Sequence, residues 1–299
     1  MRVAVSGSGG LIGSAVVPAL AGAGHEIIRL VRRDPVPGDK GVRWDPEKGM
    51  VDAVSLEGLD AFVHLAGENI AAGRWTPARK AAIRDSRVKG TRLLCDALAG
   101  LSKRPKTLVC ASAIGYYGDR WEDTLTEESP AGTGFLPEIC REWEAAAEPA
   151  AQKGIRVVHL RIGVVLTPAG GALARMLPLF RSGLGGTLGS GRQYVSWVAL
   201  DDLPGIVLHA LTREELVGPL NAVAPRPVTN RELTEALGKI LSRPTLFPVP
   251  ALALRLAFGE MADALLLASA RAVPRRLEET GYRFRFPELW AALRHLLGR

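Results

Sequence analysis

Cysteine, histidine and long uniform runs are all scarce in this chain. Its 299 residues hold three cysteines, Cys95, Cys110 and Cys140, widely spaced and with no C-x-x-C pair. No disulfide framework is expected, and so few thiols suit a reducing compartment, so a cytoplasmic protein is expected. The five histidines never fall at H-E-x-x-H or another metal-ligand spacing, so no metal site is expected. No block of consecutive Lys and Arg stands out, and aromatics do not alternate with basic residues. The net charge of +7 therefore suits an Arg-rich solvated surface or one small anionic ligand, and a nucleic-acid partner is not expected. The most apolar late stretch, 251–270, is broken by Arg255, Glu260 and Asp263, too charged for a membrane span. The first residues run straight into a short strand and a Gly-rich turn, which is not a signal-peptide pattern.

What is present is an alternation of strand and helix patterns through the first two thirds. Strands are expected at 3–5, 26–31, 61–65, 107–112 and 155–166, and helices at 11–23, 76–99 and 135–152. This order predicts an α/β fold: a Rossmann-type, doubly wound parallel sheet with helices on both faces. After about residue 166 the pattern turns to glycine-rich loops, a helix start at Thr229-Asn230-Arg231-Glu232, and late helices around an aromatic segment, 282–286. The expected division is a Rossmann domain over 1–166, its sheet also using part of 195–225. A small C-terminal α/β lobe is expected over 167–299.

The strongest motif is Ser6-Gly7-Ser8-Gly9-Gly10-Leu11-Ile12-Gly13, placed between a strand and a helix. Gly7 allows a tight turn, Gly10 lets the backbone approach a pyrophosphate, and Gly13 lets helix and strand pack closely. The free N–H groups of the helix start, with Ser8, Leu11 and Ile12 around them, favour an anion. The spacing differs by one residue from G-x-G-x-x-G, and a dinucleotide cofactor is expected. The second strand ends in Leu30-Val31-Arg32-Arg33, with no carboxylate before Asp34. A site for NAD places an acid there to hold the ribose 2′-hydroxyl, whereas a guanidinium pairs with a 2′-phosphate. NADP (NADPH) is the expected cofactor, with Arg32 ahead of Arg33.

The assembled motifs resemble the extended short-chain dehydrogenase/reductase superfamily, in its epimerase/dehydratase branch. They resemble more closely a subgroup of "epimerase family" proteins with a distinctive C-terminal domain, sometimes labelled cell-division-inhibitor-like. The matching segments begin with His64-Leu65-Ala66-Gly67-Glu68-Asn69-Ile70, Arg74-Trp75 and Ser86-Arg87-Val88. They continue through Ala113-Ile114-Gly115-Tyr116-Tyr117-Gly118, Trp143-Glu144 and Arg161-Ile162-Gly163-Val164-Val165-Leu166. Gly183-Leu184-Gly185-Gly186, Ser196-Trp197 with Asp201-Asp202, and Asn221-Ala222-Val223-Ala224-Pro225 complete the set. The resemblance implies that Leu65, Ala66 and Gly67 lie against adenosine and ribose, and Val164 near the nicotinamide.

The same resemblance exposes a departure. The superfamily works with Asn, Ser, Tyr and Lys, the Tyr as acid/base and the Lys lowering its pKa and holding the ribose. Ser112 matches the Ser, but Arg87 stands for the Asn, Leu136 for the Tyr and Cys140 for the Lys. Ser112, Tyr116 and Tyr117 are the candidate proton carriers, the two tyrosines serving either as acids or as pocket wall. Arg87 is either the cation beside them or a cofactor contact. Asn69, Arg74, Trp75, Gln193 and Trp197 are candidates for a small-molecule substrate site; Trp75 and Trp197 could equally be packing residues. The expected protein is a monomer or homodimer. It is either an NADP-dependent oxidoreductase or epimerase-like enzyme on an unknown small substrate, or a non-catalytic NADP-binding sensor.

Overall fold

Short runs of apolar residues buried on both faces become strands here, and the amphipathic runs between them become helices. A computed structural model describes residues 1–33 and 40–299; Asp34 lies outside the described residues. The first half runs β1 (Arg2–Ser6), α1 (Gly13–Gly22), β2 (Glu26–Val31), β3 (Gly41–Asp45), β4 (Met50–Val51) and β5 (Ala61–His64). It continues with α2 (Pro77–Gly100), β6 (Thr107–Ala113), β7 (Thr124–Leu125), α3 (Phe135–Ala145) and α4 (Glu148–Gln152). Next come β8 (Arg156–Ile162), β9 (Val164–Leu166), α5 (Gly171–Arg181), β10 (Tyr194–Val195), β11 (Trp197–Ala199) and α6 (Leu203–Thr212). The chain ends with β12 (Gly218–Ala222), β13 (Val228–Thr229), α7 (Asn230–Leu241), α8 (Ala251–Phe258), β14 (Arg271–Ala272), α9 (Arg275–Glu279) and α10 (Leu289–Leu296).

Eight strands make one sheet in the order β12-β8-β6-β5-β1-β2-β3-β4, parallel at every pairing except β3 with β4. Alternation along each strand fills both faces. Val3, Val5, Val63, Val109 and Val158 pack on one face with Val16 and Leu20 of α1 and Ile206 and Val207 of α6. Ala4, Phe62, Leu108 and Cys110 pack on the other with Leu94 and Leu98 of α2. A third apolar cluster joins α5, α7 and α10 through Leu173, Leu177, Leu237 and Leu293, with Leu166 and Trp197 from the paired strands β9 and β11. The strand order reverses between β1 and β5, and open α/β sheets bind ligands beyond the strand ends at such a point.

Three elements differ from the pattern expected of the sequence. Strand β3 is added between β2 and the edge strand β4, where Val42 and Trp44 are buried and the alternate residues Gly41, Arg43 and Asp45 less so. The run 155–166 is two strands, broken at Gly163, because a Cβ there would lie 2.6 Å from the Ser196 carbonyl oxygen. The helix over 135–152 divides into α3 and α4, and a proline opens the second.

A buried polar seam crosses the sheet beneath the first loop. Ser6 Oγ meets His64 Nδ1 at 2.6 Å, and His64 Nε2 meets Thr91 Oγ1 at 3.0 Å. Trp143 Nε1 donates to the same Thr91 oxygen at 2.9 Å, so β1, β5, α2 and α3 are stitched together. Burial holds the His64 imidazole down to about 4, so it is neutral here. The unfolded chain takes up this proton near the ordinary value of 6.5, while the folded chain refuses it until about 4. The stability tied to neutral His64 is therefore complete above 6.5 and is lost as pH falls towards 4. Between pH 7.5 and pH 5 the native protein should lose about 2 kcal/mol more than a His64→Gln variant. Urea unfolding at the two pH values measures this. Parallel losses would contradict a neutral, buried imidazole.

Candidate active site

The glycine loop leaves β1 and enters α1 by the tightest route the backbone allows. Gly7 has φ +69°, and a Cβ on it would lie 2.7 Å from Ala66 N and from the Leu65 carbonyl carbon. A Cβ on Gly13 would collide with the Gly7 carbonyl oxygen at 2.2 Å. Both glycines are thus demanded by close packing. The outer side of the loop is open. A Cβ on Gly9 would meet nothing within 4 Å, and one on Gly10 would meet only the Gly7 oxygen at 3.2 Å. Helix α1 starts without a side-chain cap or an acidic residue in its first turn, so the protein itself does not satisfy or neutralise this end. Ser8, Leu11 and Ile12 are half-buried around it, and Leu11 rests against Gly170 and Gly171 at the start of α5. The loop has the shape and free donors to fit a pyrophosphate.

The neighbouring strand ends continue this edge. Arg32 and Arg33 are exposed just past β2, and among the described residues Arg32 makes only a loose contact with Glu47 at 3.8 Å. Leu65, Ala66 and Gly67 follow β5 beside Gly7. Arg87 reaches across from α2, its Nη1 donating to the Glu68 carbonyl at 3.0 Å and the Ile83 carbonyl at 3.1 Å. Val164 is half-buried at the start of β9, and its N–H donates to the Ser196 carbonyl.

A buried ion pair organises the end of β6. Arg161 of β8 donates from Nε and Nη2 to the two oxygens of Glu144 on α3, each at 2.9 Å. Burial works against the Arg161 charge, but the hydrogen bonds and attraction of Glu144 prevail and raise its pKa above the ordinary value. Ser112 Oγ donates to Glu144 Oε1 at 2.7 Å. Arg161 also lies over the Tyr116 ring, 3.4 Å from its centroid, and its Nη1 donates to the Tyr117 oxygen at 3.1 Å.

The two tyrosines are not equivalent, which corrects their joint candidacy as acids. Tyr117 is fully buried, and its hydroxyl lies 2.7 Å from Asn221 Oδ1 and 3.0 Å from the Thr126 carbonyl. Burial pushes this phenol up to about 12, despite Arg161. It is a structural group with no path to a substrate. Tyr116 is half-buried, packs edge-on against Tyr117, and its hydroxyl has no partner among the described residues. On α3, Leu136 packs beneath Gly115, and the Cys140 thiol is buried near the Ala113 carbonyl, pushed up to about 12 by burial. Neither offers an acid or a cation at neutral pH.

The expected substrate residues separate into two groups. Asn69, Arg74 and Trp75 share the loop after β5, where Asn69 Oδ1 accepts from Ala71 N at 2.9 Å and Trp75 Nε1 donates to the Ile70 carbonyl at 2.9 Å. Trp75 meets Phe135 edge-on, and Arg74 lies beside Gly259. Lys80 pairs with Glu260 at 2.8 Å, so this rim is tied to the C-terminal segment. Gln193 and Trp197 are corrected. Gln193 is buried and its amide donates to the carbonyls of Leu188 and Leu266, both at 3.0 Å. Trp197 is core, with its indole donating to the Arg226 carbonyl at 3.0 Å. Arg161 and Glu144 fell within motif segments but carried no assigned role. Their buried, complementary charges on facing elements were the signal. Among the described residues, no cluster of three or more His, Cys, Asp or Glu is placed to hold a metal ion, and no helix is long and apolar enough to cross a membrane.

This parallel sheet, with its glycine loop and strand-end hydroxyls, defines a Rossmann-type dinucleotide-fold protein. Comparison with known proteins makes the class specific: the chain belongs to the NAD dependent epimerase/dehydratase family, whose pattern matches residues 3–222. Residues 249–296 match a domain of unknown function, DUF1731. An epimerase family protein of Mycobacterium bovis is 47% identical over 291 residues, covering 97% of this chain and 96% of the relative. The human epimerase family protein SDR39U1 is 39% identical, covering 99% of this chain and 100% of its own. A crystal structure of that human protein (isoform 2) with NADPH aligns with a TM-score of 0.91 at 37% identity over the whole of both chains. A Corynebacterium glutamicum structure described as a nucleoside-diphosphate sugar epimerase aligns at 0.81 and 40% identity, over 100% of this chain and 58% of that one.

The unequal tyrosines can be separated by stability alone. Tyr117→Phe should cost about 1–3 kcal/mol, because buried Asn221 and Arg161 lose a partner. Tyr116→Phe should cost under about 0.5 kcal/mol, since its hydroxyl gives up no internal bond. Urea unfolding of both variants checks this, and equal losses would contradict the assignment.

Proposed function

We propose that this chain binds NADP(H) across the carboxyl edge of its sheet and, with NADPH, reduces a small carbonyl substrate or, with NADP+, epimerises a small alcohol by taking up a hydride and returning it to the other face. The observation that carries the reading is the free Tyr116 hydroxyl, stacked on a pinned guanidinium beside Ser112 at the ligand-binding edge of the sheet. The relative crystallised with NADPH supports the choice of cofactor. Gly7, Ser8, Gly10, Leu11 and Ile12 would hold the pyrophosphate, and Arg32, backed by Arg33, the 2′-phosphate. Leu65, Ala66 and Gly67 would lie against the adenosine half, Val164 near the nicotinamide. When bound, the cofactor supplies or takes up a hydride.

The protein's own part is the proton. Tyr116 gives its phenol proton to the substrate oxygen, and Arg161 over the ring steadies the phenolate that remains. Ser112, with its proton committed to Glu144, holds the carboxylate that pins Arg161 against the Tyr116 ring. The loop carrying Asn69, Arg74 and Trp75 offers an amide, a guanidinium and an indole to a polar or anionic substrate. One observation favours a second reading. The inert face of α3, with Leu136 and the buried Cys140 thiol, suits a protein that binds NADPH as a redox sensor without turnover.

Cofactor choice is testable by calorimetry. NADPH should bind at least ~10-fold more tightly than NADH, and Arg32→Ala should remove most of the difference while sparing NADH. Equal affinities would contradict the 2′-phosphate assignment. A screen of small carbonyl compounds and nucleotide sugars for NADPH oxidation tests the chemistry. Tyr116→Phe should lower any turnover by roughly 10²- to 10⁴-fold with NADPH affinity intact. Turnover that survives the change would remove Tyr116 from the mechanism. A protein that binds NADPH but turns over nothing in the screen would favour the sensor.

A further inference from the structure

We propose that this protein docks on anionic lipid surfaces through an apolar ridge carried by its C-terminal segment. The inference goes beyond the NADPH reading and uses none of the residues of that site. A contiguous group of exposed apolar side chains rimmed by charge marks an interaction surface. More than half of the large exposed apolar side chains among the described residues fall in two stretches, 179–184 and 246–265. Leu184, Leu246, Phe247, Leu252 and Leu256 are each between 61% and 76% exposed. The two stretches adjoin. Residues 244–250 run as a strap over the glycine-rich segment 183–189. The Val249 N–H donates to the Thr187 carbonyl at 2.8 Å, and the Gly189 N–H donates to the Val249 carbonyl at 2.9 Å. A Cβ on Gly186 would lie 2.7 Å from the Phe247 carbonyl carbon, and one on Gly183 would lie 3.6 Å from Pro244 Cγ. Pro244, Pro248 and Pro250 stiffen the strap, so little freedom is lost when it docks. Helix α8 follows directly. Leu254 is its one buried residue, and Leu252 and Leu256, two positions before and after, stand on the opposite, solvent side.

The charge around the ridge selects its occupant. Arg181, Lys239 and Arg243 are exposed beside it, and none of their side chains has a hydrogen-bond or ion-pair partner among the described residues. Arg181 ends α5, three residues before Leu184, and Arg243 opens the way into the strap. Lys239 and Arg243 line an open cleft of about 370 Å³ with Ser242 and Thr245, in which Glu235 is the one carboxylate. Arg255 on α8 is paired with Asp263 at 2.9 Å, and Glu260 with Lys80, so these add no net charge. The ridge is therefore apolar with an uncompensated cationic flank. A two-fold contact with a second copy would turn this patch on itself and bring like charges together. An anionic bilayer meets both features: its phosphates face the three cations, and its acyl chains receive the leucines and Phe247. Helix α8 has eight residues, too few to span a bilayer, so the contact is peripheral.

The test is co-sedimentation of the full chain with vesicles of phosphatidylcholine, alone or mixed in equal parts with phosphatidylglycerol. The mixed vesicles should bind the protein, less tightly as salt is raised, and phosphatidylcholine alone should bind it at least ~10-fold more weakly. Leu246→Ser combined with Phe247→Ser should weaken binding to the mixed vesicles at least ~10-fold, through lost apolar burial. Lys239→Glu combined with Arg243→Glu should do the same through charge, again by at least ~10-fold. If the first pair shifts thermal unfolding, Leu252→Ser combined with Leu256→Ser replaces it, and the same loss is expected. Glycerophosphate carries the headgroup charge without the chains, and at the phosphate concentration of the vesicles it should not displace the protein. Binding to neither vesicle, equal binding to both, undiminished binding by either double variant, or displacement by glycerophosphate would overturn the proposal. A wild-type dimer in sedimentation velocity that the Leu246 and Phe247 changes convert to monomer would also overturn it, because the ridge would then belong to a second copy.

Discussion

Arg161 and Glu144 are buried opposite one another, and the end of the sheet is arranged around keeping both satisfied. Two charges removed from water are unfavourable unless each remaining valence is filled. Glu144 therefore takes Ser112 as a further donor, and Arg161 turns its third nitrogen to Tyr117 and the Glu127 carbonyl. The flat face left over is covered by Tyr116. One ion pair thus sets the position of three hydroxyl side chains on β6 and its following turn, and ties β8 to α3. Loss of one partner alone would strand the other charge, which costs about 3–5 kcal/mol in such settings.

This arrangement decides which groups are available for chemistry. Tyr117 is consumed by the network, and Ser112 points its proton inward. Of these three hydroxyls, that of Tyr116 alone has no partner among the described residues. Helix α3 contributes apolar atoms and a protonated thiol at the positions where the family resemblance implies a tyrosine and a lysine. The proposed account moves the acid to the turn after β6 and the cation to Arg161 of β8. Both substitutes lie at the same edge of the sheet as the groups they replace.

The glycine loop, the parallel strands and the helices over 11–23 and 76–99 could be read from the sequence because each rests on local signals, glycine spacing and apolar periodicity. Strand β3 was missed because its charged alternate residues look like a loop until pairing with β2 gives Val42 and Trp44 a face to cover. The break at Gly163 was missed because its cause, the Ser196 backbone, is remote in sequence. The two tyrosines looked alike for the same reason. Asn221, which buries one of them, comes from the far edge strand β12. Gln193 was a pocket candidate and Trp197 was open between pocket and packing; their partners, Leu266 and Arg226, place both in the frame. Contacts of long sequence separation separate wall from site, and no local pattern reports them.

The central claim is that a dinucleotide lies across β2, β1, β5 and β6 with Tyr116, not a residue of α3, facing its reactive end. A crystal structure of the protein with NADPH tests this most directly. The account predicts the pyrophosphate over Gly7 to Gly13, the 2′-phosphate at Arg32, and the Tyr116 hydroxyl nearest the open face of the nicotinamide. A nicotinamide ring held away from Tyr116, with that hydroxyl turned to the protein or to bulk solvent, would contradict it.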